Sequence, residues 1–143
     1  SDLNSSIAFK QANVSISGSG DVHLDAVGEA SIRIAGAGNV NINRAESTKI
    51  DIAGAGDIDI KEIIGDHLDV RISGAGDCQV LSGSVQYLKC FISGSGDFRG
   101  DKLETIDSEF SLNGFGTAVV GRVLGNSVER VSKGSTLRIL QRG

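Results

Sequence analysis

Polar residues that follow glycine pairs have the clearest potential for chemistry in this sequence. Six Gly-x-Gly tripeptides are each followed by such a residue, every 18 to 20 positions: Asp21, Asn39, Asp57, Asp77, Asp97 and Thr117. A column of carboxylates on stacked turns could bind calcium. Calcium-binding β-rolls, however, use Gly-Gly-x-Gly-x-Asp with a period of about nine residues. Here Asp directly follows the second glycine and the period is doubled. We therefore interpret these residues as turn residues that hydrogen bond to the backbone, and we predict no metal site.

Other catalytic arrangements fit the sequence poorly. A Gly-x-Gly phosphate loop requires a helix directly after it, and a strand pattern follows each of these tripeptides. Acid–base catalysis requires carboxylates gathered in a cleft, whereas Asp51, Asp57 and Asp59 fall on a regular strand pattern. His23 and His67 occupy different parts of the repeat. The sequence therefore predicts a protein that is not an enzyme, with no catalytic residue and no cofactor.

Two further motifs have a structural interpretation beside a functional one. The tripeptide Arg99-Gly100-Asp101 has the integrin-binding sequence, but Gly100 stands where an inner apolar residue belongs in the repeat. We interpret it as a chance occurrence. Cys78 and Cys90 also fall on inner positions, which predicts buried and unreactive thiols. Whether a disulfide joins them is left open, because a disulfide depends on their Cα separation.

A nine-residue pattern underlies all these motifs. It reads apolar, any, apolar, small, Gly, any, Gly, Asp, apolar, and it occurs six times. The first glycines of the copies are Gly18, Gly36, Gly54, Gly74, Gly94 and Gly114. The second glycines are Gly20, Gly38, Gly56, Gly76, Gly96 and Gly116. Such regularity indicates a repeat architecture in which each copy is one structural unit.

One unit shows how the chain must fold. Val14, Ile16, Val22 and Leu24 share one parity, which is typical of strands with one buried face. The glycines between them predict a sharp turn with positive φ, and a looser segment returns the chain to the start of the next unit. One unit cannot bury its apolar face alone, so the units must stack. The sequence predicts an all-β, single-stranded parallel β-helix of six to seven rungs of 18–20 residues, with the Gly-x-Gly turns between two sheets.

Stacking defines the columns of the core. Four columns of apolar residues are predicted, and they begin at Val14, Ile16, Val22 and Leu24. The outer column Arg33, Asp51 and Arg71 alternates in charge, which favours this register. We predict a single domain over residues 1–143, with regular repeats over about 14–120 and irregular end rungs at 1–13 and 121–143. In the last rung, Arg130 and Ser132 are expected on inner positions.

Charge and hydropathy exclude several partners. Residues 122–143 carry a net charge of +4 and the rest of the chain −8, but the basic residues are scattered without interleaved aromatics, so we predict no nucleic-acid binding. No run of about 18 apolar residues occurs, so no membrane span is expected in this segment. With one Tyr and no Trp, no aromatic sugar platform is expected, and polysaccharide binding or processing is the less favoured function.

The runs ISGSGD and IAGAGD resemble the bacterial head GIN domain family of auto-transporter adhesin type. The resemblance covers about residues 14–120, and the chain departs from the pattern at Asn39, Gly100 and Thr117. It implies a β-helix, right-handed as the crossover rule for parallel strands also favours. It also implies an extracytoplasmic location at the cell surface or envelope and an adhesive role toward a surface protein or glycan. A self-assembling β-helix scaffold is the alternative, because it would need the same stacked architecture.

Overall fold

The computed structural model describes the backbone of residues 3–142 and the side chains of residues 11 and 13–141. Within this part of the chain all regular structure is β, and no helix occurs. The ten strands are β1 (Leu3–Ile16), β2 (Asp21–Ile34), β3 (Asn39–Ile52), β4 (Asp57–Ile72), β5 (Asp77–Val80), β6 (Gly83–Ile92), β7 (Asp97–Leu112), β8 (Thr117–Val123), β9 (Ser127–Val131) and β10 (Thr136–Arg142). Every described strand pair is parallel. The predicted parallel β-helix is therefore confirmed, as a solenoid of about seven coils.

The return segment is more regular than the sequence predicted. Strand β2 runs without interruption from the end of one Gly-x-Gly turn to the start of the next, and β3, β4 and β7 do the same. The extra two residues of the longer coils are absorbed by a register shift between Ala45 and Thr48, where β3 pairs with β4. The strand is broken in the fifth coil, between β5 and β6, and again in the seventh, between β8 and β9. The returns are thus bent strand rather than loose connection.

The predicted core columns are present in the structure. Val14 pairs with Ile32 and Ile16 with Ile34, and the same register continues through the later coils. These residues are buried. Each buried Ile or Val contributes about 1.5–3 kcal/mol of transfer free energy. The charge column is also in register, because Asp51 pairs with Arg33 on one side and Arg71 on the other.

The Gly-x-Gly turns lie in one line along the solenoid, as predicted. The amide of the residue between the glycines donates to the first glycine carbonyl of the preceding coil, for example from Ala55 to Gly36 at 2.9 Å and from Ala75 to Gly54 at 3.0 Å. The expected backbone conformation is wrong, however. Among the described glycines only Gly18 and Gly83 have positive φ, so the Gly-x-Gly glycines other than Gly18 turn the chain without left-handed geometry.

Close stacking explains the glycines instead. A Cβ placed on Gly54 would overlap the carbonyl oxygen of Gly36. A Cβ on Gly56 would lie 2.6 Å from the carbonyl oxygen of Gly38 and 2.6 Å from Cγ2 of Ile34. Neither distance is possible for a real side chain. Glycine is therefore required because each turn packs directly on the turn of the preceding coil.

The last coil corrects one expectation. Glu129 pairs with Phe110 and Val131 with Leu112, so these two residues stand in the register of the inner columns although both are exposed, whereas Arg130 pairs with the outer Ser111. The coil from Phe110 to Glu129 spans 19 residues rather than 20, which shifts the parity by one. Ser132 lies past the strand, where its amide donates to the Leu112 carbonyl at 2.8 Å. Arg130 and Ser132 therefore do not occupy the core.

Candidate functional site: the turn column and two lateral grooves

Side chains that follow the Gly-x-Gly turns link successive coils. Asp77 Oδ1 accepts a hydrogen bond from the amide of Asp97 at 3.3 Å, and Asp97 Oδ1 accepts one from the amide of Thr117 at 3.1 Å. In the third coil Asn39 Nδ2 donates to Asp21 Oδ1 of the second at 3.2 Å. The bonds run to the neighbouring coil, whereas an Asx-turn would bond to the backbone two residues further along the same chain segment. These hydrogen bonds join each coil to the next. The residues that follow the turns are here called the turn column.

Ionisation is disfavoured near the middle of this column. Burial, then the carboxylates of Asp97 and Asp57, raise the pKa of Asp77 above its usual value, although the amide of Asp97 and the charge of Arg99 act in the opposite direction. Burial and the nearby Asp57 likewise raise the pKa of Asp59. Within the described residues, no three His, Cys, Asp or Glu side chains are grouped so that they would hold a metal ion.

The two cysteines are free and buried. Burial raises the pKa of both thiols above the usual value, and for Cys78 the neighbouring Cys90 adds to this effect. Because the thiolate is the reactive form, both side chains are poor nucleophiles in the folded protein. This matches the sequence-based interpretation.

The Arg99-Gly100-Asp101 tripeptide lies within strand β7. Arg99 and Asp101 are exposed and Gly100 is buried. A Cβ on Gly100 would lie 3.1 Å from Cβ of Leu103, which shows that Leu103 fills the space left by the missing side chain. The tripeptide is thus part of a paired strand rather than the tip of a loop.

Strand β6 carries an outward cluster that the sequence reasoning missed. Lys89 Nζ lies 5.0 Å and Arg71 Cζ 5.8 Å from the ring centroid of Phe91, which is cation–π distance. The Tyr87 hydroxyl donates to Glu109 Oε2 at 3.2 Å. Positions 87, 89 and 91 share the outward parity, so this parity was the signal that could have found the cluster. Phe91 is therefore already in contact with two cations on this face of the solenoid.

A polar groove of about 340 Å³ lies on the side of the first four coils. Its lining includes Gln11, Glu29, Ser47, Lys49 and His67. Gln11 Nε2 donates to Glu29 Oε2 at 3.1 Å across neighbouring coils. The groove therefore presents amide, hydroxyl, carboxylate and cationic groups across four successive coils.

A second groove, here called the apolar groove, lies beside the later coils and measures about 390 Å³. Three of its lining side chains are large, apolar and exposed: Ile64 (56%), Ile106 (46%) and Leu124 (42%). Asp66 and Glu104 are also part of its lining. The repeat pattern did not predict this groove, because its residues belong to the return segments.

Stacked parallel coils with polar lateral faces define the chain as a β-solenoid. The chain belongs to the family described as "Putative auto-transporter adhesin, head GIN domain", whose model matches residues 32–140 and thus more than half of the sequence. This confirms the resemblance seen in the glycine repeats. Comparison with curated proteins and with solved structures gave no significant match. No helix among the described residues is long and apolar enough to cross a membrane.

Proposed function

We propose that this protein is a non-enzymatic, extracytoplasmic binding module of adhesin type, which contacts a protein or glycan of another surface through its lateral faces. The observation that carries the proposal is the family membership of a solenoid whose sides hold two open grooves. A match to an adhesin-type head domain supports a location at the cell surface.

The architecture suits such a role for a physical reason. Successive coils lie about 4.8 Å apart, so seven coils form a rod about 30 Å long. Backbone hydrogen bonds join every pair of neighbouring coils along this rod. A backbone that is already paired has little conformational freedom left to lose when a ligand binds. A solenoid of this kind therefore presents a rigid, extended contact surface.

Retention of protein-coated beads tests the proposal. Beads that carry the folded protein are passed over panels of immobilised surface proteins and glycans, and beads that carry heat-unfolded protein serve as the control. We expect the folded protein alone to be retained on one class of surface. Equal retention of both bead types, or none of either across the panels, would contradict an adhesive role.

A self-assembling scaffold is the second candidate, and the C-terminal coil favours it. Strand β10 pairs with β8, and no strand on its other side is described. Its inward residues Leu137 and Ile139 are only partly buried, and Val131 is 43% exposed. Unpaired strand edges are templates for further strands. Filaments seen by electron microscopy, shortened when Ile139 is replaced by Lys, would support this function over a monomeric adhesin.

A further inference from the structure

The apolar groove has the shape of a trough between two outward-facing columns. Ile64, Ser84 and Glu104 form one column, since each pairs with the next in the strand register. The other column contains Ile106 and Leu124, which follow one another in neighbouring coils. Between the columns, Val85 and Thr105 turn their side chains into the core. The floor of the trough is therefore backbone, and its walls are exposed side chains.

Outward positions elsewhere in these columns are polar, as at Ser84 and Gln86. Three half-exposed aliphatic side chains within one groove are consequently unusual on this surface. Scattered single apolar residues need no explanation, but apolar side chains that share one groove mark a contact site. Ile64, Ile106 and Leu124 thus identify a surface that a partner would cover.

Charge restricts the chemistry of that partner. Asp66 and Glu104 are the ionisable residues in the described lining, and none of the lining residues is Lys, Arg or His. Arg122 stands one coil beyond Glu104, outside the lining. An approaching segment meets aliphatic side chains flanked by carboxylates. Complementary charge then favours a segment with Lys or Arg beside its apolar residues.

The spacing of the three apolar side chains along the solenoid axis restricts the conformation of the partner segment. Measured along the axis alone, Ile64 on one wall and Ile106 on the other are two coils apart, or about 10 Å, and Leu124 lies one further coil beyond Ile106, or about 5 Å. An α-helix brings residues i and i+7 about 10.5 Å apart and advances about 5.4 Å in one more turn. A helix laid over the trough parallel to the axis therefore matches these axial separations, and its apolar stripe must be broad enough to reach both walls.

We propose that the apolar groove binds a basic amphipathic helix of a partner protein, in the helix-in-groove mode. This inference names the partner class of the proposed binding module and rests on that proposal. The apolar stripe of the helix covers Ile64, Ile106 and Leu124, and its flanking cations face Asp66 and Glu104. Binding of this kind requires no rearrangement of the solenoid, because the groove is already open.

A labelled helical peptide of about 18 residues, with Leu on one face and Lys on the other, is the probe. Fluorescence anisotropy measures its affinity for the whole chain and for two variants. Ile106→Lys places a cation in the groove, and we expect it to weaken binding by about tenfold or more. Val128→Lys makes the same change at a 52% exposed site outside the groove, and we expect less than about a twofold effect. Circular dichroism melting verifies that both variants fold.

Each outcome decides the inference. A peptide with Glu in place of Lys should not bind, and added salt should weaken the Lys peptide. Equal loss of affinity in both variants would show attraction to the overall charge of −4 and would overturn the proposal, as would absence of binding. If beads that carry the folded protein are still retained on a surface while the peptide does not bind, the groove proposal fails and the adhesin function stands.

Discussion

Replacing Gly54 with Ala should destabilise the protein severely, because the new Cβ would overlap the carbonyl oxygen of Gly36. The two coils can separate only by weakening the hydrogen bonds from Ala53 to Ile34 and from Ala55 to Gly36, at 2.8 and 2.9 Å. Each such bond contributes about 1 kcal/mol. Overpacking adds about 1–3 kcal/mol. The expected loss of about 3–5 kcal/mol is a large part of the 5–15 kcal/mol typical of a domain, and Gly54→Val should be at least as severe.

Chemical unfolding followed by circular dichroism measures this loss. Ala55→Ser is the matched control, since this exposed position of the same turn is Ser in two other copies, and it should stay within about 0.5 kcal/mol of the wild type. Gly54→Asn separates two explanations. If positive φ were the requirement, Asn would be tolerated better than Ala. If overlap is the requirement, Asn is at least as harmful, and an unchanged unfolding midpoint for Gly54→Ala would refute the stacking argument.

Three further predictions concern Asp77 in the turn column, the two thiols and the absence of catalysis. The raised pKa of Asp77 means that the folded protein binds more protons than the unfolded chain between the two pKa values, so stability should increase as pH falls through this range. Asp77→Asn should lose part of this pH dependence and be neutral or slightly stabilising at pH 7 and low salt; destabilisation seen only with calcium would reveal a metal site. Cys78 and Cys90 should react with a thiol reagent only after denaturation, and fast labelling of the folded protein would contradict their burial. Uronic-acid polymers should not be cleaved, with or without calcium, and turnover abolished by mutation of Asp57 or Asp59 would contradict the proposed absence of catalysis.

The strands and core columns were predictable from the sequence because two independent patterns agree. Alternating apolar residues such as Val14 and Ile16 define the buried face, and the glycines define where each coil turns. The reason for glycine was not predictable. The atom that a side chain on Gly54 would meet belongs to Gly36, 18 residues earlier, and only the stacked structure shows how closely the two approach.

The return segments and the grooves could not be predicted from the sequence, for a related reason. Inward residues such as Ile63 and Val85 belong to the core, but register shifts and changes of coil length interrupt their parity. The apolar groove forms between two outward columns, one of which begins at Ile64 and the other at Asp66. Ile64 and Ile106 are 42 positions apart in the sequence, and nothing in the repeat pattern brings them together.

Deletion of residues 32–140 from the full-length gene tests the central claim most directly. Cells with the intact gene and cells with the deletion are compared for attachment to the surface that retains the purified protein, while antibody labelling of unbroken cells reports the location of the intact form. A surface adhesin module predicts labelled cells whose attachment is lost with the deletion. Equal attachment by both strains, or an intact protein that antibodies reach only after the cells are broken, would contradict the proposed function.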